Sequence, residues 1–143
     1  MRYKLILAVI STFIFTSACL ADTSLKAEVD KTKLSADDTL TYKLTITSDE
    51  KSLNRPQMPK FTGFNVVSQA ESSSLIFEKP ATRTHLVYVY ILAPAGTGKL
   101  KIDPSQINLN GKNYQTESFE IEVTQGTSKP IPPSQEEAPK TTL

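Results

Sequence analysis

The sequence predicts an all-β fold, a two-sheet antiparallel sandwich of about seven to nine strands, and three observations carry that prediction. Apolar residues alternate with polar ones along short runs, as in "DTLTYKLTIT", where Leu40, Tyr42, Leu44 and Ile46 share one side. Each run is bounded by Gly, Pro, Asn or Ser. Nowhere after the first 21 residues do apolar residues recur at helical spacing over three turns. About eight such runs in roughly 100 residues are the pattern of two packed antiparallel sheets sharing one core.

The elements follow in chain order. Residues 1–21 read as an export signal, with Arg2 and Lys4 at the charged end and the apolar run Leu5 to Phe15 behind them. That run is shorter than the ~20 apolar residues a bilayer span needs. Small residues around Cys19-Leu20-Ala21 favour cleavage between Ala21 and Asp22. Thr16-Ser17-Ala18-Cys19 offers the alternative of a lipoprotein box, with Cys19 as the acylated residue. The predicted domain occupies residues 22–125.

Leu25, Ala27 and Val29 make the first run, and Asp37-Asp38 reads as a turn ahead of the second, Leu40 to Ile46. Phe64 to Ser68 and Leu75 to Glu78 are predicted as separate strands. Between them "ESSS", Glu71 to Ser74, reads as a polar edge or loop segment. Segment Ser72 to Glu78, with Ser74, Leu75, Ile76 and Phe77 at its centre, is the candidate edge strand for a partner. His85 to Leu92 is apolar on both sides, with His85, Val87, Val89 and Ile91 facing one way and Leu86, Tyr88, Tyr90 and Leu92 the other. That places it centrally, and Leu44, Val89 and Ile121 are the expected core positions.

"APAGTGKL", Ala93 to Leu100, ends in the Gly-Lys pair of a phosphate-binding loop, but Ala93 replaces the first Gly and Leu100 the magnesium-binding hydroxyl. No helix pattern follows it, so Gly96 and Gly98 read as turn residues joining two antiparallel strands. After Lys99 to Ile102, Asn110-Gly111 between apolar runs predicts a type I′ hairpin of Gln106–Leu109 with Lys112–Gln115. Phe119 to Val123 is the last strand. Residues 126–143, rich in Pro, Ser, Thr, Glu and Lys, read as a disordered linker or tail.

Composition narrows the function. Across 143 residues, 16 Lys and Arg stand against 15 Asp and Glu, a net charge of +1, so no basic field exists for nucleic acid. The one histidine, His85, sits within a strand, and one His with one leader Cys cannot build a zinc site. No Ser-His-Asp or Cys-His set is legible. Hence neither an enzyme, nor a cofactor, nor a metal is expected. Tyr88, Tyr90 and Tyr114 are candidates for a sugar-stacking surface, but packing is the better reading, since Tyr is enriched in strands and no Trp joins them.

Three blocks in order resemble the first extracytoplasmic domain of the BatD family, the Bacteroides-aerotolerance proteins: Val29 to Ile46, Arg55 to Val67, and Tyr88 to Val123. The third block is the most specific, with Pro94, Gly98, Ile102 with Pro104, Gly111-Lys112 with Tyr114, and Ile121 with Val123 at the family's positions. Asp37 stands where members often carry Gly or Asn, and members are much longer, with several β domains and a membrane helix. The resemblance implies an immunoglobulin-like sandwich and a non-enzymatic, exported, periplasmic or envelope-associated role. It also implies a place beside a MoxR-type ATPase, with a membrane-anchored von Willebrand A-domain protein as partner, in oxidative or envelope stress tolerance. Membrane attachment would then come through a lipid anchor, a retained leader or that partner. The alternative is a small envelope lipoprotein or carbohydrate-binding module anchored through Cys19.

Overall fold

The computed structural model describes residues 23–79 and 81–126. The leader with its positions Cys19, Ala21 and Asp22, and the tail beyond Gly126, lie outside the described residues. Nine strands run in order: β1 Ser24–Val29, β2 Lys33–Ser35, β3 Leu40–Ser48, β4 Phe64–Glu78, β5 Ala81–Pro94, β6 Gly98–Ile102, β7 Gln106–Leu109, β8 Lys112–Gln115 and β9 Phe119–Thr124. They form a four-stranded sheet ordered β1-β3-β5-β4, a three-stranded sheet β2-β9-β6 and the hairpin β7-β8. The larger sheet has the A-B-E-D order of an immunoglobulin constant-type sandwich.

Period-two alternation in β3 builds the core. Leu40, Tyr42, Leu44, Ile46 and Ser48 are all buried, while the residues between them face the other side. On β5, Leu92, Tyr88 and Leu86 lie opposite Leu40, Leu44 and Ile46 and extend that dry layer sideways. Leu34, Ile102, Ile121 and Val123 of the second sheet, with Ile107 and Leu109 of the hairpin, cover it. Burial of each large aliphatic side chain contributes about 1.5–3 kcal/mol.

Tyr42 brings a polar atom into this layer. Its ring meets Phe61 edge-on at 5.2 Å and Phe119 at 6.3 Å. Its hydroxyl lies 2.7 Å from Ser105 Oγ, and both residues are 0% exposed. Ser105 N donates to Thr116 Oγ1 at 2.9 Å, and Thr116 N donates to Ser105 O at 2.9 Å. Phe61 holds a left-handed backbone with φ of 48°, a conformation costing a bulky side chain about 1–3 kcal/mol. Ring contacts with Tyr42 and, at 5.1 Å, Tyr90 hold it there.

Four elements differ from the sequence reading. First, β4 is one strand of 15 residues rather than two, because β5, with 14 residues, supplies a backbone ladder that does not depend on side-chain pattern. A bulge between Val66 and Ser68 lets it continue. Second, β2 pairs with β9 in parallel, Leu34 beside Val123, so the β1–β2 stretch switches sheets. Third, Val89 is only half-buried: its side of β5 has Lys43 and Ala70 as neighbours and lies opposite the core-facing Tyr88. Fourth, the Gly96 turn does not close a hairpin, since β5 pairs with β3 and β4 while β6 pairs with β9. It carries the chain from one sheet to the other.

The hairpin β7-β8 pairs Leu109 with Lys112 and Gln106 with Gln115. Asn110 and Gly111 take φ values of 50° and 77° between them, the geometry of a type I′ turn.

Leu44→Ala and Ile121→Ala should each lower unfolding free energy by about 2–5 kcal/mol in denaturant titrations. Val89→Ala should lower it by about 1 kcal/mol, because the side chain is already half in water. Burial, the largest effect, raises the Tyr42 phenol above its ordinary value. The unfolded chain therefore loses that proton near pH 10 while the folded protein keeps it, so this contribution is complete below pH 10 and is lost as pH rises through the folded value. Tyr42→Phe should cost about 1–3 kcal/mol at neutral pH by orphaning the Ser105 hydroxyl, and should flatten the alkaline decline in stability.

Candidate interaction site

Residues with chemical potential are dispersed. His85 Nδ1 lies 3.2 Å from Thr47 Oγ1 across the outward face of the larger sheet. Asp37 and Asp38 sit in the turn after β2, where Asp38 N donates to Ser35 O at 3.0 Å. Among the described residues no three His, Cys, Asp or Glu side chains cluster as metal ligands, and no helix is long and apolar enough to cross a membrane.

A different site emerges along β4. It is an outer strand of its sheet, hydrogen-bonded to β5 on one side, and among the described residues no strand pairs its other side. That side presents a row of backbone N–H and C=O groups. Sheet edges are usually blunted by Lys, Pro or brevity, yet β4 is 15 residues long and contains no Lys, Arg or Pro. The opposite edge, β1, has 6 residues and an exposed Lys26–Glu28 ion pair of 2.7 Å.

Side chains distinguish β4 further. The exposed large apolar residues among those described are Val66 (48%), Val67 (61%), Leu75 (54%), Ile76 (37%) and Phe77 (79%), and all lie on this strand. Their exposure has two causes. Val67 is the extra residue of the bulge, pushed out of the ladder. Leu75, Ile76 and Phe77 pair with Thr84, Arg83 and Thr82, whereas the β3 ladder stops at Ser48–Thr84, so Ile76 and Phe77 stand on a two-stranded arm beyond the sandwich.

Between these two apolar ends, the inward side of β4 borders a cleft. About 240 Å³ is lined by Arg55, Met58, Gln69, Glu71, Tyr88 and Tyr90, and an adjoining space of about 310 Å³ shares Arg55, Glu71 and Tyr88. Arg55 Nη2 approaches Glu71 Oε2 at 3.8 Å with both side chains well exposed, a pairing that adds little stability. Burial first, and then Glu71, raises the Tyr88 phenol, with Arg55 opposing. The ring of Tyr88 is buried and that of Tyr90 packs on Phe61. Tyr114 lies apart on β8, with Lys112 Nζ 5.0 Å above its ring. The three tyrosines therefore form no shared stacking surface.

Ser74, Leu75, Ile76 and Phe77 lie in succession toward the open end of β4, the last two beyond the β3 ladder, whereas Asn110 and Gly111 form the tip of a separate hairpin. Sequence reasoning missed Val66, Val67 and Arg55. The doubled "VV" in an otherwise alternating run is the one local sign of the bulge, and nothing local signals the cleft.

The family model of the BatD DUF11-like domain matches residues 27–123. No curated protein matches the chain. The matched span runs from Ala27 in β1 to Val123 in β9 and takes in all fifteen buried apolar residues of the core. Most of the chain is thus accounted for by one family, and this protein belongs to the BatD family.

Proposed function

We propose that the protein is a non-enzymatic, exported interaction module, the extracytoplasmic arm of a MoxR-ATPase and von Willebrand A-domain system serving oxidative or envelope stress tolerance. Its partner is a membrane-anchored von Willebrand A-domain protein that contributes a strand to β4, over the stretch Ser74 to Phe77. The observation that carries this reading is the concentration of exposed large apolar side chains on one unblocked sheet edge. Strand addition suits such an edge, because the backbone supplies affinity and alternate side chains supply specificity. A binding rather than a catalytic role is further supported by His85, whose hydrogen-bond partner is Thr47 rather than a carboxylate. Tyr114 stands apart from Tyr88 and Tyr90, so the three rings make no common platform, which favours a protein partner over a carbohydrate.

Replacing Leu75 and Phe77 with Ser should change unfolding free energy by no more than about 0.5 kcal/mol per site, since both are exposed. The same double variant of the tagged full chain should lose a von Willebrand A-domain protein that the unaltered chain captures from envelope extract. Capture of no such protein by the unaltered chain would refute the reading, as would equal capture by the variant.

A further inference from the structure

We infer that, without a heterologous partner, β4 pairs antiparallel with β4 of a second copy about a twofold axis at Ser72, making one eight-stranded sheet from two sheets of four. This goes beyond the partner proposed above and does not rest on it. Because β4 offers one open edge, the two occupants compete.

The strand is apolar at both ends and short-chained between them. Val66 and Val67 lie at one end and Leu75, Ile76 and Phe77 at the other, with "SQAESSS" from Ser68 to Ser74 in the middle. An antiparallel copy reverses that order, so the Leu75–Phe77 end of each copy runs toward the Val66-Val67 end of its mate. The polar middle carries no cation and one acid, Glu71, and is otherwise small or amide-bearing.

Alternation limits the register. After the bulge, Gln69, Glu71, Ser73, Leu75 and Phe77 lie opposite Tyr90, Tyr88, Leu86, Thr84 and Thr82 and share their face, and Ser68, Ala70, Ser72, Ser74 and Ile76 take the other. Opposed residues in a continued sheet share a face, so the axis must fall on a residue rather than between two. An axis at Glu71 opposes two carboxylates, which is destabilising. An axis at Ser73 sets Leu75 against Glu71 and leaves Val66 and Val67 unmatched. An axis at Ser72 opposes Ser72 to itself, Ala70 to Ser74, Ser68 to Ile76 and Gln69 to Leu75, and carries Phe77 to the Val66-Val67 bulge of the other copy. This register brings Phe77 of each copy to the valine bulge of the other, and it sets Glu71 opposite Ser73 rather than opposite the second Glu71.

The test combines mass and cross-linking on the exported chain carrying Cys19→Ser, which removes the native thiol. Light scattering should show a monomer converting to a dimer as concentration rises. In that background Ser72→Cys should form a disulfide dimer under mild oxidation, because directly opposed residues lie within disulfide reach. Ser68→Cys alone should not, since its two copies stand eight positions apart, about 27 Å. A mixture of Ala70→Cys with Ser74→Cys should cross-link, an independent reading of the register should Ser72→Cys fold poorly. A strictly monomeric mass would overturn the inference. So would a dimer in which neither Ser72→Cys nor the mixed pair links more than Ser68→Cys does.

Discussion

The dry face of β3 is the constraint from which the remaining architecture follows. Five inward positions in a row, Leu40 to Ser48 by twos, are sealed from water. A strand can hold such a face only when something roofs it. The roof is the small sheet β2-β9-β6 with the β7-β8 hairpin, and Tyr42 sets how that roof is tethered. A phenol hydroxyl in this layer requires a partner. Ser105 provides it from the β6–β7 connection and is itself held by Thr116 ahead of β9. One buried hydrogen bond thereby joins the larger sheet to the loops flanking the hairpin.

The roof does not reach across the whole four-stranded sheet, and the strand left short of cover is β4, which gives only Phe64 to the buried core. Freed from packing, β4 carries residues that serve no fold-stabilising purpose in the isolated chain: an apolar bulge, a serine-rich middle and a protruding apolar tip. The contrast with β1 is informative. That edge is short, charged and flanked by the β7-β8 hairpin, the usual protection of a sheet edge. The two edges of one sheet are thus treated differently: β1 is shielded, and β4, among the described residues, is not.

Much of the fold was legible because its signals are local. Strand β3 and strand β9 alternate strictly, and Asn110-Gly111 carries its positive φ preference in two residues. What escaped depends on partners distant in sequence. The three residues of β2 are too few to show a period, and their parallel pairing needs β9 about 90 positions later. The two faces of β5 are equally apolar in sequence, so nothing local tells Val89 from Tyr88, and it is the register with β3 that turns Tyr88 inward. The continuity of β4 through "ESSS" comes from β5 rather than from serine. The site divided in the same way, with Leu75 to Phe77 visible as an apolar run, while the cleft joining Arg55 to Tyr88 exists only after folding.

A sealed β3 layer thus supports a sheet whose β4 edge is open. Residue-resolved amide hydrogen exchange, on protein dilute enough to exclude self-association, addresses it most directly. Amides of β3, and of β5 from Thr84 to Leu92, should exchange only through global opening, and those of β4 should alternate between slow, bonded to β5, and fast, facing solvent. Uniform protection along β4, or β3 amides exchanging as fast as the outward amides of β4, would contradict it.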